Sequence, residues 1–393
     1  MNLKEVKNKA SRNGFDLSTK RNFSAKVGEL LPVYVREVLP GDRFDIDLKS
    51  LIRTQPLNTA AFARMRYYYD FYFVPYEVLW RFSDTVLSQM NDNQHHSINR
   101  DPSLNNLTTL RVPYITCKTI ATYLRSLADH YHDQTDVSRT IFGTSRSLAS
   151  AKLLEYLGYG NFYNYARHTA SSGKPVAPSD QWSTNPLISN LSMNLFPLLA
   201  YQKIYSDYYR DTQWEKFNPS IFNVDWMLGN AEPVFSESYL DANFRSYSNF
   251  FDLRYCNWNK DLFHGVLPNQ QFGSTSVVSI TSAINSDKTE AAGELSVIAL
   301  RQAEALQRYK EVAMSVSQNY KDQIEAHWNV KVTGDYGDTC KYLGGINGNL
   351  DINEVVNTNI TGENGADIAG KGVGVSNGKV KRNSHMIVIE NIG

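Results

Sequence analysis

Apolar and polar residues alternate with a period of two from Phe44 to Lys49, with Phe44, Ile46 and Leu48 on one side and Asp45, Asp47 and Lys49 on the other. This is the pattern of a strand with one wet face. Pro40-Gly41-Asp42 supplies the turn before it. From Met65 to Phe73 aromatic residues fall on both faces, which predicts a strand covered on both sides by core, by a neighbouring subunit or by both. Pro75 ends that strand, and Val78, Leu79, Phe82, Val86 and Met90 then recur at helical spacing.

Between Asn91 and Asp287 the pattern changes to short helices and long polar connections. Thr119–His130 and Leu148–Leu157 read as short amphipathic helices, and Leu195–Arg210 as a longer one starting near Pro197. The Gly/Ser/Asn/Pro-rich stretches Asn91–Asn106, Ala170–Ser189 and Gln270–Asp287 read as loops, of a length that usually serves binding or assembly. Gly293–Tyr320 is the clearest helix. Ala299, Ala303, Leu306, Ala313 and Tyr320 mark one side, and Arg301, Gln307, Arg308, Lys310 and Glu311 the other, so it should lie on the body with a charged outer face. Ile324–Thr333, Asp351–Val356 and Lys379–Glu390 read as strands separated by Gly/Asn turns. No fixed-period repeat is visible, which argues against a solenoid or propeller. The residues alone therefore predict a large antiparallel β domain with a helical insertion.

Charge changes the picture at one end only. Forty basic and forty acidic residues cancel over 393 positions, so the chain as a whole is not a generic nucleic-acid binder. The first 26 residues hold Lys4, Lys7, Lys9, Arg12, Lys20, Arg21 and Lys26 against Glu5 and Asp16, seven against two, a net +5. This basic arm is expected to be poorly ordered unless bound, and its seven cations are the candidate DNA contacts. The 24 Tyr and 18 Phe offer contact area for interfaces as well as cores. Cys117, Cys256 and Cys340 fit neither a disulfide framework nor a zinc spacing, and a reducing compartment is the simplest expectation. The N-terminal stretch carries no apolar signal region, and no apolar run approaches the ~18 residues of a spanning helix, so a soluble cytoplasmic product is expected.

Candidate chemistry is sparse. Gly365-Ala-Asp-Ile-Ala-Gly370-Lys371 fits G-x-x-x-x-G-K, but Gly372 stands where Ser/Thr would hold magnesium and Gly374 opposes the helix that must follow, so a flexible connection is the better reading. His95-His96 has no Cys, His or carboxylate at metal spacing, and Asp42, Asp45 and Asp47 read as a solvated strand face. The run Tyr67–Tyr72, with Arg64 and Arg66 beside it, could stack bases, but strand-core or interface packing fits better. No nucleophile motif is present, and the expectation is a non-enzyme with no cofactor and no metal.

The stretch Gly28–Asp42, the segment Arg53–Ala61, Tyr67–Tyr76 and Leu79-Trp80 resemble the opening of a microvirus (Microviridae) major capsid protein. Further likeness lies in Asp16-Leu17-Ser18, Phe23–Gly28, Leu195–Arg210, Trp258–Pro268 with Gln271-Phe272-Gly273, Leu300–Leu306 with Tyr309-Lys310, and Tyr342–Gly345. In order along the chain these span most of it, with the gokushovirus-like group from gut Bacteroides-type phages most similar. The resemblance implies a mainly β fold, an eight-stranded antiparallel viral jelly roll of two packed sheets. Residues 1–27 would be the basic arm and 28–393 a single capsid domain with insertions at roughly 76–325. It also implies a homo-oligomeric icosahedral (T=1) shell of about sixty copies around a circular single-stranded DNA genome. A pilot protein and a small DNA-binding protein would be further virion partners, with no membrane involved, and assembly would take place in the host bacterial cytoplasm. A carbohydrate-binding or host-attachment β-sandwich is the alternative function. The chain departs from the family at its end: Lys381–Met386 is an unusual version of that segment, and Ile389–Gly393 stops as a strand begins, the pattern a truncated or frameshifted gene would leave.

Overall fold

The computed structural model describes residues 13–39, 42–54, 65–83, 112–130, 137–163, 165–166, 191–212, 214–228, 250–257, 297–316, 320–331, 339–357, 370–379 and 386–388. Its strands pair in a nested order. β1 (Arg43–Asp45) pairs with β8 (Met386–Val388), β2 (Lys49–Arg53) with β7 (Gly370–Lys379), β3 (Met65–Phe73) with β6 (Lys341–Asn357), and β4 (Tyr114–Thr116) with β5 (Ser192–Asn194), all antiparallel. β6 also pairs with β7, which makes a four-stranded sheet of order β2-β7-β6-β3. The period-two reading of the first strands holds. Phe44, Ile46 and Leu48 are half-buried, whereas Arg43, Asp45, Asp47 and Lys49 are exposed. Asp42 closes the turn into β1, its N–H donating to the Leu39 carbonyl (3.1 Å) and its carboxylate accepting from the Leu39 N–H (3.0 Å).

Two expectations for the C-terminal part are corrected. The strand expected over Ile324–Thr333 is helical as far as Trp328, within α7 (Tyr320–Trp328), which ends at Asn329 with φ 53°. Asn tolerates that left-handed conformation, and the Asn329 N–H closes the helix on the Glu325 carbonyl (2.9 Å). The Gly-rich segment read as a flexible connection includes Gly370 and Lys371, which start β7 opposite Asn357 and Val356. A strand there is incompatible with the helix a phosphate loop requires. The remainder of that motif lies outside the described residues, as do the three expected loops and the pair His95-His96. Asp351–Val356 lies within β6 as expected, and β8 falls inside the expected Lys379–Glu390 strand. The helix expected at Gly293–Tyr320 forms as α6 (Val297–Ser315), a label that follows α1 to α5 in chain order. Among the described residues it packs chiefly on α7 rather than on the body, and Leu306 and Tyr309 remain exposed.

Most burial lies in the segment expected to form peripheral helices and loops. Pro75 ends β3 and leads into α1 (Tyr76–Leu79), which delivers Leu79, Trp80 and Phe82 to the core. α2 (Cys117–His130) and α3 (Val137–Leu157) pack as a pair, contributing Ile120, Leu124, Leu127, Leu153 and Leu154. α4 (Phe196–Ile204) begins with Pro197 in its first turn, where the missing N–H costs nothing, and adds Phe196, Leu198 and Leu199. α5 (Val224–Leu228) and Phe250-Phe251 complete the cluster. Each fully buried Leu or Phe contributes about 1.5–3 kcal/mol, so this helical layer carries much of the stability. None of the described helices is long and apolar enough to cross a membrane.

The buried charges and amide at the centre of this layer are paired. Arg146 holds Asp252 through two bonds of 2.8 and 2.9 Å, the fork geometry that satisfies a buried carboxylate. The Gln202 amide donates to the carbonyls of Phe250 and Asp252 (both 2.8 Å) and accepts from Arg254 Nε (2.7 Å). The N-terminal segment is strapped across it. The Leu30 N–H donates to the Arg254 carbonyl (3.0 Å), and the Cys256 N–H to the Gly28 carbonyl (2.7 Å). Gly28 sits at φ 87°, a turn conformation that a Cβ would strain.

Candidate functional site

The sheet and the helical layer meet on a tyrosine cluster. On β3, Tyr68, Asp70 and Tyr72 share one face by the period of two. β6 lies opposite with glycines where side chains would collide: Gly345 faces Asp70 and Gly348 faces Tyr67. A Cβ on Gly345 would overlap the Asp70 carboxylate and the Tyr342 hydroxyl, and one on Gly348 would overlap the Tyr67 ring. α4 continues into one π-helical turn, Tyr205–Tyr209. That wider turn sets Tyr208 and Tyr209 side by side over the sheet.

The Tyr72 hydroxyl donates to that of Tyr209 (2.9 Å), which donates to Asp70 Oδ2 (2.7 Å), while Tyr342 lies 3.4 Å from Oδ1. The Tyr72 ring lies 4.7 Å from Tyr208 and 5.4 Å from Tyr342, and Tyr68 stacks on Tyr209 at 6.3 Å. The same turn anchors β6, because Asp207 accepts from the Cys340 N–H (2.9 Å) and also pairs with Lys203 (2.9 Å). Burial pushes Tyr72 and Tyr209 well above the usual phenol range, reinforced at Tyr72 by the Asp70 charge and at Tyr209 by its hydrogen bonds to Tyr72 and Asp70. They are therefore neutral donors at any physiological pH. Burial likewise raises the Cys117 thiol to about 11 and the Cys340 thiol further, so neither is an activated nucleophile. Tyr68, Tyr208 and Tyr342 keep more than 40% of their surface exposed, so the cluster has an open rim.

The basic arm divides. Lys4, Lys7, Lys9 and Arg12 lie outside the described residues, and Lys20 and Lys26 are exposed. Arg21 is committed to the body: its guanidinium donates to the carbonyls of Pro32 (3.1 Å), Val33 (2.8 Å) and Tyr156 (3.0 Å) and lies 5.3 Å from the centre of the Tyr156 ring. Phe23 meets the same ring edge-on at 5.7 Å. The structure thus groups Arg21 with Tyr156 rather than with the other cations of the arm. Of the three aspartates at the first strand, Asp42 serves its turn and Asp47 pairs with Lys49 at 3.6 Å. Among the described residues no group of three or more His, Cys, Asp or Glu could hold a metal ion.

Sequence reading marked β3 and the Leu195–Arg210 helix separately but did not bring them together. The signal available was the run Tyr208-Tyr209 at the end of one segment and Gly344-Gly345 opposite the other. A strand glycine often marks close approach of another group.

Arm, first strands and the first half of the helical layer form one contiguous stretch of chain, and this stretch has a known counterpart. Residues 4–175 match the family Capsid protein (F protein). That agrees with the microvirus major capsid proteins implied by the motifs, and marks a structural component of a bacteriophage virion. No curated protein matches the chain. The matched stretch holds β1, β2, β3, α1, α2 and α3 together with the basic arm almost from its start, so the exposed strand faces and the arm belong to capsid-family sequence.

Proposed function

We propose that copies of this chain self-assemble into a closed icosahedral shell that encloses a single-stranded DNA genome, and that the work of the protein is structural rather than catalytic. The family match over residues 4–175 is the observation that carries this reading. The nested order of the strand pairs, β1 with β8, β2 with β7, β3 with β6 and β4 with β5, is the order a doubled-over antiparallel ribbon would give, and we read it in favour of a jelly roll. The tyrosine rim supports inter-subunit contact, since Tyr is enriched at interfaces where one surface must serve both water and a partner. Closure of a symmetric shell then multiplies modest contacts and removes exposed edges. A pilot protein, a small DNA-binding protein and assembly in the host cytoplasm follow from the resemblance.

In this reading the arm faces the interior and contacts genome phosphates. A +5 segment on a chain with no net charge gains by releasing counterions from DNA. Lys4, Lys7, Lys9 and Arg12 are the residues to test, because Arg21 is held by the body. Replacing these four with Gln should flatten the slope of log affinity for single-stranded DNA against log salt by about 3, at roughly 0.7 per phosphate contact. An unchanged slope would mean that the arm does not touch the genome.

A further inference from the structure

Among the described residues the four-stranded sheet has β3 and β2 at its edges, and their charges behave differently under self-pairing. In an antiparallel pair of identical strands about a two-fold axis, residues equally far on either side of the axis face each other, with side chains on the same face. On β3, Arg66, Tyr68 and Asp70 share one face, with Arg66 and Tyr68 exposed and Asp70 half-buried. An axis through Tyr68 sets Arg66 of each copy opposite the partner's Asp70. On β2 the matching axis runs through Leu51, and it sets Lys49 opposite the partner's Arg53. Like charges directly opposite destabilise a pair, and opposite charges stabilise it.

Asp70 is prepared for such a neighbour. Among the described residues no basic side chain pairs with it, Oδ2 is held by Tyr209, and Oδ1 has only the long contact from Tyr342. A guanidinium arriving at Oδ1 would lie among the faces of Tyr72 and Tyr342, where a cation is attracted by the ring quadrupole. Among the described residues nothing pairs with the outer edge of β3, and nine residues is long for such an edge, a template that proteins usually blunt.

We propose that two copies of this chain pair antiparallel through β3 about a two-fold axis at Tyr68, with Arg66 of each against the partner's Asp70. Its place as a contact within a shell rests on the capsid reading, whereas the pairing itself does not.

Cysteine crosslinking of the full chain tests the register. In a Cys256→Ser background, which removes the thiol beside Tyr68, Tyr68→Cys puts two cysteines on the axis. Facing Cα atoms there are about 4.5–5.5 Å apart, within the span of a disulfide. Arg66→Cys in the same background puts them four residues out of register, roughly 13 Å apart and beyond that span. Mild oxidation should therefore give a covalent dimer at position 68 and none at 66. Linkage at neither position, or equally at both, would overturn the proposal. Arg66→Glu changes an exposed side chain and serves where Tyr68→Cys does not fold. It should raise the dimer dissociation constant about tenfold, since two opposite-charge pairs become two like-charge pairs, and an unchanged constant would overturn the pairing. Closed shells of the Tyr68→Cys variant without a disulfide at that position would remove this contact and leave the capsid reading intact, whereas linked dimers that never close would do the reverse.

Discussion

Tyr209 is the residue on which sheet and helical layer depend most. It accepts from Tyr72, donates to Asp70 and stacks on Tyr68, all from one π-helical turn. Its raised proton affinity has a direction in pH. Unfolded tyrosines ionise near about 10, while the folded cluster holds its protons to higher pH. The stability from keeping Tyr72 and Tyr209 neutral is therefore fully present below about 10 and is lost as pH rises beyond it. Tyr209→Phe should cost about 1.5–3 kcal/mol at neutral pH, the range for a hydrogen bond to a charged acceptor. It should also weaken the fall in stability between about pH 9 and 11. Denaturant unfolding of both forms across that range checks this, and equal slopes would show that Tyr209 does not hold its proton in the fold. Arg21 makes the complementary point about legibility. In sequence it is one more cation of a basic arm, and its three carbonyl acceptors come from Pro32, Val33 and Tyr156, the last of them distant in the chain.

At the scale of elements, what could be read depended on how local the deciding contacts are. β1 was legible because its alternation of exposure is written in consecutive residues, and β3 because aromatic residues occupy both of its faces. α2, α3 and α4 were legible from apolar spacing and from Pro197. β7 was hidden because Gly370-Lys-Gly-Val-Gly lacks the branched side chains that announce a strand, and its partners β2 and β6 supply the pairing. α7 was misread because a short apolar run fits either period, and Tyr320, Ile324 and His327 also lie at helical spacing. Neither tyrosine element alone revealed the candidate site, since their meeting depends on the glycines of β6. Gly345→Ala should therefore be costly although alanine suits a strand better than glycine. The added methyl overlaps Asp70 and Tyr342, and overpacking of this kind costs about 1–3 kcal/mol. A denaturation midpoint equal to that of the unmodified chain would mean that β6 shifts to accept the methyl group.

For the whole molecule, the described residues combine antiparallel sheets with a helical layer that contains most of the buried apolar side chains. Such a subunit has a stable body of its own and can offer strand edges and aromatic rims to neighbours without unfolding. The match of residues 4–175 to the capsid family fits such surfaces, and in the function proposed above the basic residues near the N-terminus would face the genome. Arm, tyrosine rim and sheet edge then act together only if many copies close into a shell. Electron microscopy of the purified protein, or of the phage that carries it, tests this most directly. Closed particles of uniform size and icosahedral symmetry are the predicted result; a preparation that contains only monomers, dimers or open aggregates under assembly conditions would contradict the account.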